Sequence, residues 1–545
     1  MTHTYDVDQF RDTFEHEFTW LNGFLRNVGR FGDRPALYAP EIDRRWTYRE
    51  LNADANRLAH ALQADGVGRN SVIMYMLFNS PEFVFAYLAC HKLGAIGCPV
   101  NYRLSAGELA MLIDDSEPAV FFYDAAFAPV AQQALALAAY RPRRIVLVGG
   151  DGTVPPGEDT YAGYVAESPA SDPEPDHRKH IYDETTRLYT SGTTNRAKAV
   201  PINDINEVLS AHDVLMHFPL NATDRTMNMT PWFHRGGLHS GGPTPTLYAG
   251  GEVVILREFN PRRCLELAEK ERVTFLIGVP SIIALLARAQ ERAPADLSSL
   301  RGIVTMGSPF DKAACERYRE LFTPNIFNGY GTTETFWNTF LRPYDLPDKA
   351  GSAGMSCTDD DVRVVRLRPD GSHAEPDELA ARDDTEIGEI IIRSPAKSAG
   401  CYVNNEEMSR RKFHKGYHYT GDLGTWDKNE FVTVVSRKDD MIICAGENIY
   451  PTQIEAVLNE HPKVAECAVV GRPDRLHGQC VAAYVVPADE SLTVEDLRAH
   501  CAAHPMLPPF KRPRFYTFVK ELPHTATGKL LHYKVREQAE QDAKE

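Results

Sequence analysis

None of the ten cysteines forms a CxxC pair; they are scattered from Cys90 to Cys501 over 545 residues. Disulfide frameworks and zinc sites need clustered ligands, so neither is expected. No run of about 18 apolar residues occurs, so no membrane span is expected. The nearest approach, residues 83–100, is interrupted by His91 and Lys92. Positive charge is in deficit: 59 Lys and Arg stand against 75 Asp and Glu, a net charge of −16. That field repels phosphate backbones and excludes general nucleic-acid binding, while leaving room for a small phosphate ligand with cations of its own nearby. The opening residues, MTHTYDVDQFRDTFEHEF, mix charge with apolar side chains and lack the apolar centre of a secretory signal. There is no fixed-period repeat and no low-complexity tract. These absences together predict a soluble protein of a reducing, cytoplasmic compartment.

What is present is ordinary globular material, 43% apolar and 25% charged. At roughly 100–200 residues per domain, the length predicts about two to four domains. Thr47-Tyr-Arg-Glu50 reads as a capping box, with Leu51, Ala55, Leu58 and Leu62 following at helical spacing. Short apolar runs at 72–77, 120–123, 144–148, 253–256, 273–279 and 302–306 read as strands, several separated by helix-length amphipathic stretches such as 281–292. Alternation of this kind predicts an α/β fold with largely parallel sheets. Residues 168–184, rich in Pro, Asp and Ser, read as a connecting loop, and 369–385 as a polar break before the strand at 389–393. Beyond about residue 440 the units shorten to α+β, with a helix at 452–461 and strands at 467–470, 481–486 and 515–519. The expected architecture is a large multi-layer N-terminal α/β body, 1–438, with a smaller α+β C-terminal domain, 439–545.

Five segments carry chemistry. In Thr190-Ser-Gly-Thr-Thr-Asn-Arg-Ala-Lys198, the hydroxyls of Thr190, Ser191, Thr193 and Thr194, the backbone around Gly192 and the Lys198 charge suit an anion. An ordinary Ser/Thr-rich turn would look the same. It is not a Walker loop, since Ala197-Lys198-Ala199 replaces Gly-Lys-Ser/Thr, and no GxGxxG occurs either. Asn328-Gly-Tyr-Gly-Thr-Thr-Glu334 offers close backbone approach at Gly329 and Gly331, a flat face at Tyr330, hydroxyls at Thr332 and Thr333, and a hard oxygen ligand at Glu334. Asp422, in Tyr-Thr-Gly-Asp, can accept from two ribose hydroxyls. The fourth segment runs from Ser436 to Pro451, and the last, residues 522–530, presents Lys529 on a Gly-containing loop.

In this order and spacing the five segments resemble the adenylate-forming superfamily of acyl-CoA synthetases, carrier-loading adenylation domains and luciferases, over about the whole chain. The resemblance implies two-step catalysis with ATP, Mg²⁺ and CoA: an acyl-adenylate and pyrophosphate first, then capture of the acyl group by a thiol. It implies that Thr190 to Lys198 hold the β- and γ-phosphates and that Tyr330 stacks on adenine with Gly331 and Ser308 nearby. Thr332 and Thr333 reach phosphate oxygens, Asp422 binds the ribose with help from Arg437, and Glu334 holds Mg²⁺. Lys529 bridges the carboxylate and α-phosphate oxygens as charge builds. Asp439 takes the hinge position of a small domain that alternates between two poses, and Ala445-Gly446-Glu447 the thiol tunnel. His234, in Pro231-Trp-Phe-His-Arg-Gly-Gly237, matches the aromatic-His segment that gates the carboxylate pocket; a lone histidine would otherwise read as structural.

Amino-acid-activating relatives place an aspartate just after that aromatic, and here there is none, which argues against an amino-acid substrate. Glycines at 236, 237, 241 and 242, with Phe336, Trp337 and Phe340, suggest a roomy pocket for a bulky or ring-containing acid; core packing explains the aromatics equally well. Asn195-Arg196-Ala197 departs from the family's Gly-x-Pro, and Ala445 replaces a frequent glycine beside the thiol path. The main expectation is an acid–CoA ligase. Its alternatives are an adenylating enzyme that hands its acyl group to a carrier protein or separate enzyme, a silent ligand-binding homologue, and an oxidative luciferase.

Overall fold

The structure, a computed structural model, describes residues 6–190, 198–307, 312–368, 370–444, 447–474, 478–504, 507–524 and 530–543. Ser191, Gly192, Thr193, Thr194, Ser308, Ala445, Gly446 and Lys529, all expected site residues, lie outside the described residues. The chain divides into two compact units, one formed by 1–361 and 393–418, the other by 362–392 and 419–545.

The first unit is α/β, as the alternating pattern predicts. Among the described residues, one sheet has nine strands; its central strands, Arg225–Asn228, Phe275–Gly278, Gly302–Met306 and Ile326–Thr332, run parallel. A second sheet of seven strands is parallel through Val72–Met76, Val120–Asp124 and Arg144–Val148, and ends in the antiparallel pair Glu184–Thr190 and Lys198–Asn203. The helix Pro81–Leu93 explains the long apolar run: it is buried on every face from Phe83 to Leu93, His91 and Lys92 included. One continuous core joins that helix to Leu37 and Val253 of the first sheet and to Ile73, Tyr75 and Val120 of the second. Helices thus fill the layer between two sheets, and a helix enclosed all round must be apolar all round. The capping box is realised: Thr47 caps the helix Tyr48–Ala64 and Glu50 reaches back to the Thr47 N–H.

In the second unit, residues 422–426 pair antiparallel with the strand Val432–Arg437. The unit also holds an α+β part with the helix Pro451–Asn459 and the long strands Val464–Asp474 and Gly478–Pro487. Ile454, Val457 and Leu458 pack inward against Cys467, Val469 and Val481. Among the described residues, no helix is long and apolar enough to cross a membrane.

Candidate active site

Thr190, Lys198 and the Tyr330–Thr332 stretch fall at strand ends, where a rigid sheet can present short polar loops, whereas Asp422 lies within the strand Tyr417–Trp426. Thr190 closes one strand and Lys198 opens its antiparallel neighbour, directly opposite in register. Lys198 thus stands at the start of its strand, facing Thr190. The Lys198 ammonium lies over the Tyr402 ring, 5.7 Å from its centroid.

Tyr330 and Gly331 end the strand Ile326–Thr332, which turns through 333–335 into Phe336–Leu341. The two glycines here serve the chain itself. A Cβ on Gly331 would meet the Phe336 carbonyl oxygen at 1.6 Å, and one on Gly329 the Trp337 indole at 2.9 Å. The hairpin closes only because both lack side chains. Thr332 and Thr335 share a hydroxyl hydrogen bond of 3.0 Å within the turn. Glu334 accepts from the Tyr402 hydroxyl at 2.6 Å, and His418 Nε2 stands 3.9 Å from the same oxygen. Burial works against the Glu334 charge, but His418, the Tyr402 hydroxyl and Lys198 outweigh it and hold the carboxyl below its usual range. An ionised carboxylate beside hydroxyls and a lysine is a donor set that fits the magnesium complex of a nucleotide triphosphate.

His234 stands just before the short helix Arg235–His239. The ring is half-buried, and Nε2 is enclosed without a hydrogen-bond partner among the described residues. That enclosure lowers its pKa to about 4, so the ring is neutral near pH 7. The glycines expected to clear space around it do something else. Cβ atoms on Gly237 and Gly242 would meet backbone oxygens at 2.0 and 1.9 Å, and one on Gly236 would meet the Met306 sulfur at 2.9 Å. They permit chain-on-chain packing. Phe336, Trp337 and Phe340 likewise join Val214, Phe218, Ile277 and Val304 in one buried cluster, the packing role the sequence left open.

In the second unit, Asp422 and Arg437 face each other across paired strands, with Arg437 Nη1 donating to Asp422 Oδ1 at 2.6 Å. Lys438 donates to Glu389 Oε2 at 3.0 Å, and Arg536 to Asp440 Oδ1 at 2.5 Å. Asp439 lies between these anchored neighbours, exposed in the single turn Lys438–Asp440. Of the expected thiol path, Glu447 opens the strand Glu447–Ile449, its backbone paired with Cys444.

Several residues of consequence escape sequence reading. Tyr402 links Lys198 to Glu334 although no motif marks it. Glu207 and His239, both fully buried, share a 2.6 Å contact, and Thr186 donates to the same carboxylate at 2.7 Å. Burial would raise the Glu207 pKa, but these partners reverse that and lower it to about 2. Lys397 is buried and donates to Asp213 at 2.9 Å, Asp360 at 2.7 Å and the Trp337 carbonyl at 2.6 Å. Burial opposes its charge and the two carboxylates more than offset that, so Lys397 stays protonated. Asp213, which also meets His217, is held below the carboxylate range, whereas burial pushes Asp360 up. Asp213, His217 and Cys357 place metal-type ligand atoms within 4.8 Å of one another. Lys397 on Asp213 and Arg342 on His217, 2.6 Å from Nδ1, already bring the positive charge a metal would supply.

Comparisons with known proteins identify the family. Residues 24–402 match the AMP-binding enzyme model and residues 453–529 the model of the AMP-binding enzyme C-terminal domain. The chain is 33% identical to the indoleacetate–CoA ligase of Aromatoleum aromaticum over 95% of its own length and 97% of that protein. It is 30% identical to the fatty acid–[acyl-carrier-protein] ligase ScoC of Streptomyces coeruleorubidus over 90% and 91%. The structure of the anthranilate CoA ligase AuaEII in complex with anthranoyl-AMP superposes with a TM-score of 0.85 at 26% identity, covering 97% of this chain and 98% of that one. With both models matched in order and ligases aligned along nearly its whole length, this chain belongs to the AMP-binding enzymes, as an ATP- and Mg²⁺-dependent acid–CoA ligase.

Proposed function

We propose that the enzyme activates a bulky, ring-containing carboxylic acid without an α-amino group. The observation that carries this reading is the Trp232-Phe233-His234 segment, which has no acidic residue to pair with an ammonium, in a chain similar to proteins named for indoleacetate and anthranilate. In the first step a carboxylate oxygen attacks the α-phosphorus of ATP, and the bond to the bridging oxygen breaks to release pyrophosphate. In the second, a thiol sulfur attacks the acyl carbon of the mixed anhydride, AMP departs with the bond electrons, and the thiol proton goes to solvent.

The residues take the following roles in this reading. Thr190, Ser191, Gly192, Thr193, Thr194 and Lys198 cradle the β- and γ-phosphates, and Thr332 and Thr333 reach phosphate oxygens. Tyr330, with Gly331 and Ser308, receives adenine. Asp422 accepts from the ribose while Arg437 fixes its carboxylate. Glu334 holds the Mg²⁺ that arrives with ATP and supplies charge neutralisation between phosphates. Lys529 meets the carboxylate and α-phosphate oxygens, where negative charge concentrates. His234, neutral by enclosure, shapes the carboxylate pocket rather than transferring a proton. Asp439 is the pivot about which the segment 439–545 alternates, and Ala445, Gly446 and Glu447 border the thiol path.

Similarity to a carrier-protein ligase favours a second reading, in which a carrier protein's pantetheine is the acceptor. The test is pyrophosphate release over a panel of aryl, alicyclic, polycyclic and fatty acids, with and without CoA, beside Lys529→Ala. Lys529-dependent release and CoA-dependent acyl-CoA formation with ring-containing acids support the proposal. Preference for straight-chain acids overturns the substrate class, and pyrophosphate without acyl-CoA moves the acceptor to a carrier.

A further inference from the structure

Phe336 holds a backbone φ of +63°, a left-handed conformation that a bulky aromatic residue rarely adopts. It sits where the turn after Glu334 re-enters the sheet, opposite Thr332 in register, with its carbonyl pressed against Gly331. Strain of this kind persists only when surrounding contacts over-determine it. The contacts come from Arg235, which is 3% exposed. Its Nη1 donates to the Thr333 carbonyl at 2.6 Å and its Nη2 to the Lys397 carbonyl at 2.7 Å, while the guanidinium lies 5.5 Å from the Phe336 ring centre. Among the described residues Arg235 forms no ion pair with a carboxylate. A buried charge directed at two main-chain oxygens stabilises geometry more than it balances charge. Lys397 continues the brace, since its side chain holds the Trp337 carbonyl on the far side of Phe336 at 2.6 Å.

We propose that Arg235 is a positioning residue for adenylation, fixing the strained turn Thr332–Phe336 so that Thr332, Thr333 and Glu334 meet MgATP in one geometry. This rests on the reading that those three residues address MgATP. A lysine in its place brings the charge but not the fork that spans two carbonyls.

The test uses the full-length enzyme and the acid that the panel identifies, and compares wild type with Arg235→Met. Acid-dependent pyrophosphate formation should fall at least 20-fold and the KM for MgATP rise at least fivefold, with the acid KM within twofold. Thioester formation from synthetic acyl-adenylate and CoA, which does not use the triphosphate, should stay within threefold of wild type. Equal loss of both half-reactions overturns the proposal, because a loosened fold would slow both. Adenylation within threefold of wild type overturns it as well. Should Arg235→Met be insoluble, Arg235→Lys carries the test: the same split at fivefold or more supports the proposal, and its absence overturns it. Glu334→Gln and Thr333→Val, made in an otherwise unchanged enzyme, test the underlying reading by themselves. If they leave the MgATP KM unmoved, the assignment of the turn fails whatever Arg235 does.

Discussion

The Tyr402 hydroxyl donates to Glu334 Oε1 at 2.6 Å while its ring lies beneath the Lys198 ammonium, 5.7 Å away. One side chain therefore ties Lys198 to the carboxylate expected to hold Mg²⁺. Tyr402→Phe keeps the ring and removes the donor. A hydrogen bond to a charged group contributes about 1.5–3 kcal/mol. The KM for MgATP should rise roughly tenfold, with the melting temperature little changed. Steady-state kinetics with ATP varied at saturating Mg²⁺ checks this; an unchanged KM refutes it.

Asp422 and Arg437 face each other at 2.6 Å on paired strands. Asp422→Asn preserves shape but loses charge, so the KM for ATP should rise about 10–100-fold, on the same energetic scale, while the KM for the acid stays put. A parallel rise in both would show that the pair supports the fold instead of the nucleotide.

Lys397→Met leaves Asp213 and Asp360 facing each other without their cation. Removing one partner from a buried ionic group costs about 3–5 kcal/mol. Chemical denaturation should register that loss, and adding Asp360→Asn should recover a substantial part of it. A variant as stable as wild type would rule out the network as drawn.

Asp439 is exposed between two anchored neighbours. Proline there removes an N–H and fixes φ near −65°, which opposes a hinge that must change conformation. Adenylation and thioester formation, assayed separately for Asp439→Pro, should be impaired to clearly different extents. Equal impairment argues against a pivot at this position.

Burial lowers the His91 pKa from 6.5 to about 4. Its ring packs against Trp20 and Tyr87, with Asp204 4.0 Å away and Lys179, Glu207 and His239 also acting on it electrostatically. Unfolded, the same histidine titrates near 6.5 and takes up a proton that the native state refuses. Its contribution to stability is therefore present above pH 6.5 and falls as pH drops toward 4, by up to about 3 kcal/mol. Urea melts at pH 4.5, 5.5 and 6.5 should show this slope in wild type and a shallower one in His91→Phe. Matching slopes would mean that other groups carry the pH dependence.

Local patterns were legible in the sequence because their causes are local. The Thr47–Glu50 capping box and the apolar strands at 144–148 and 302–306 follow from side chains a few residues apart, and the family follows from five polar segments in a fixed order. The lack of a long apolar run and of CxxC spacing was legible in the same way. The meaning of a glycine or an aromatic was not legible. Gly237 and Gly242 looked like open space and proved to be close backbone packing. Phe336, Trp337 and Phe340 suited a pocket or a core equally well until their neighbours across the sheet were known.

Tertiary structure alone decided the partnerships that cross the chain. Lys397 meets Asp213 across 184 residues, Arg235 meets Thr333 across 98, and Tyr402 meets Glu334 across 68. No periodicity or motif spans such separations. A buried lysine or arginine reads in sequence as one more surface charge until the fold closes over it. What the sequence by itself determined was the order of elements and the chemistry they carry. What only folding decided was which of those groups are enclosed, and burial, by withdrawing water, is what turns a carboxylate, a guanidinium or an imidazole into a fixed part of a site.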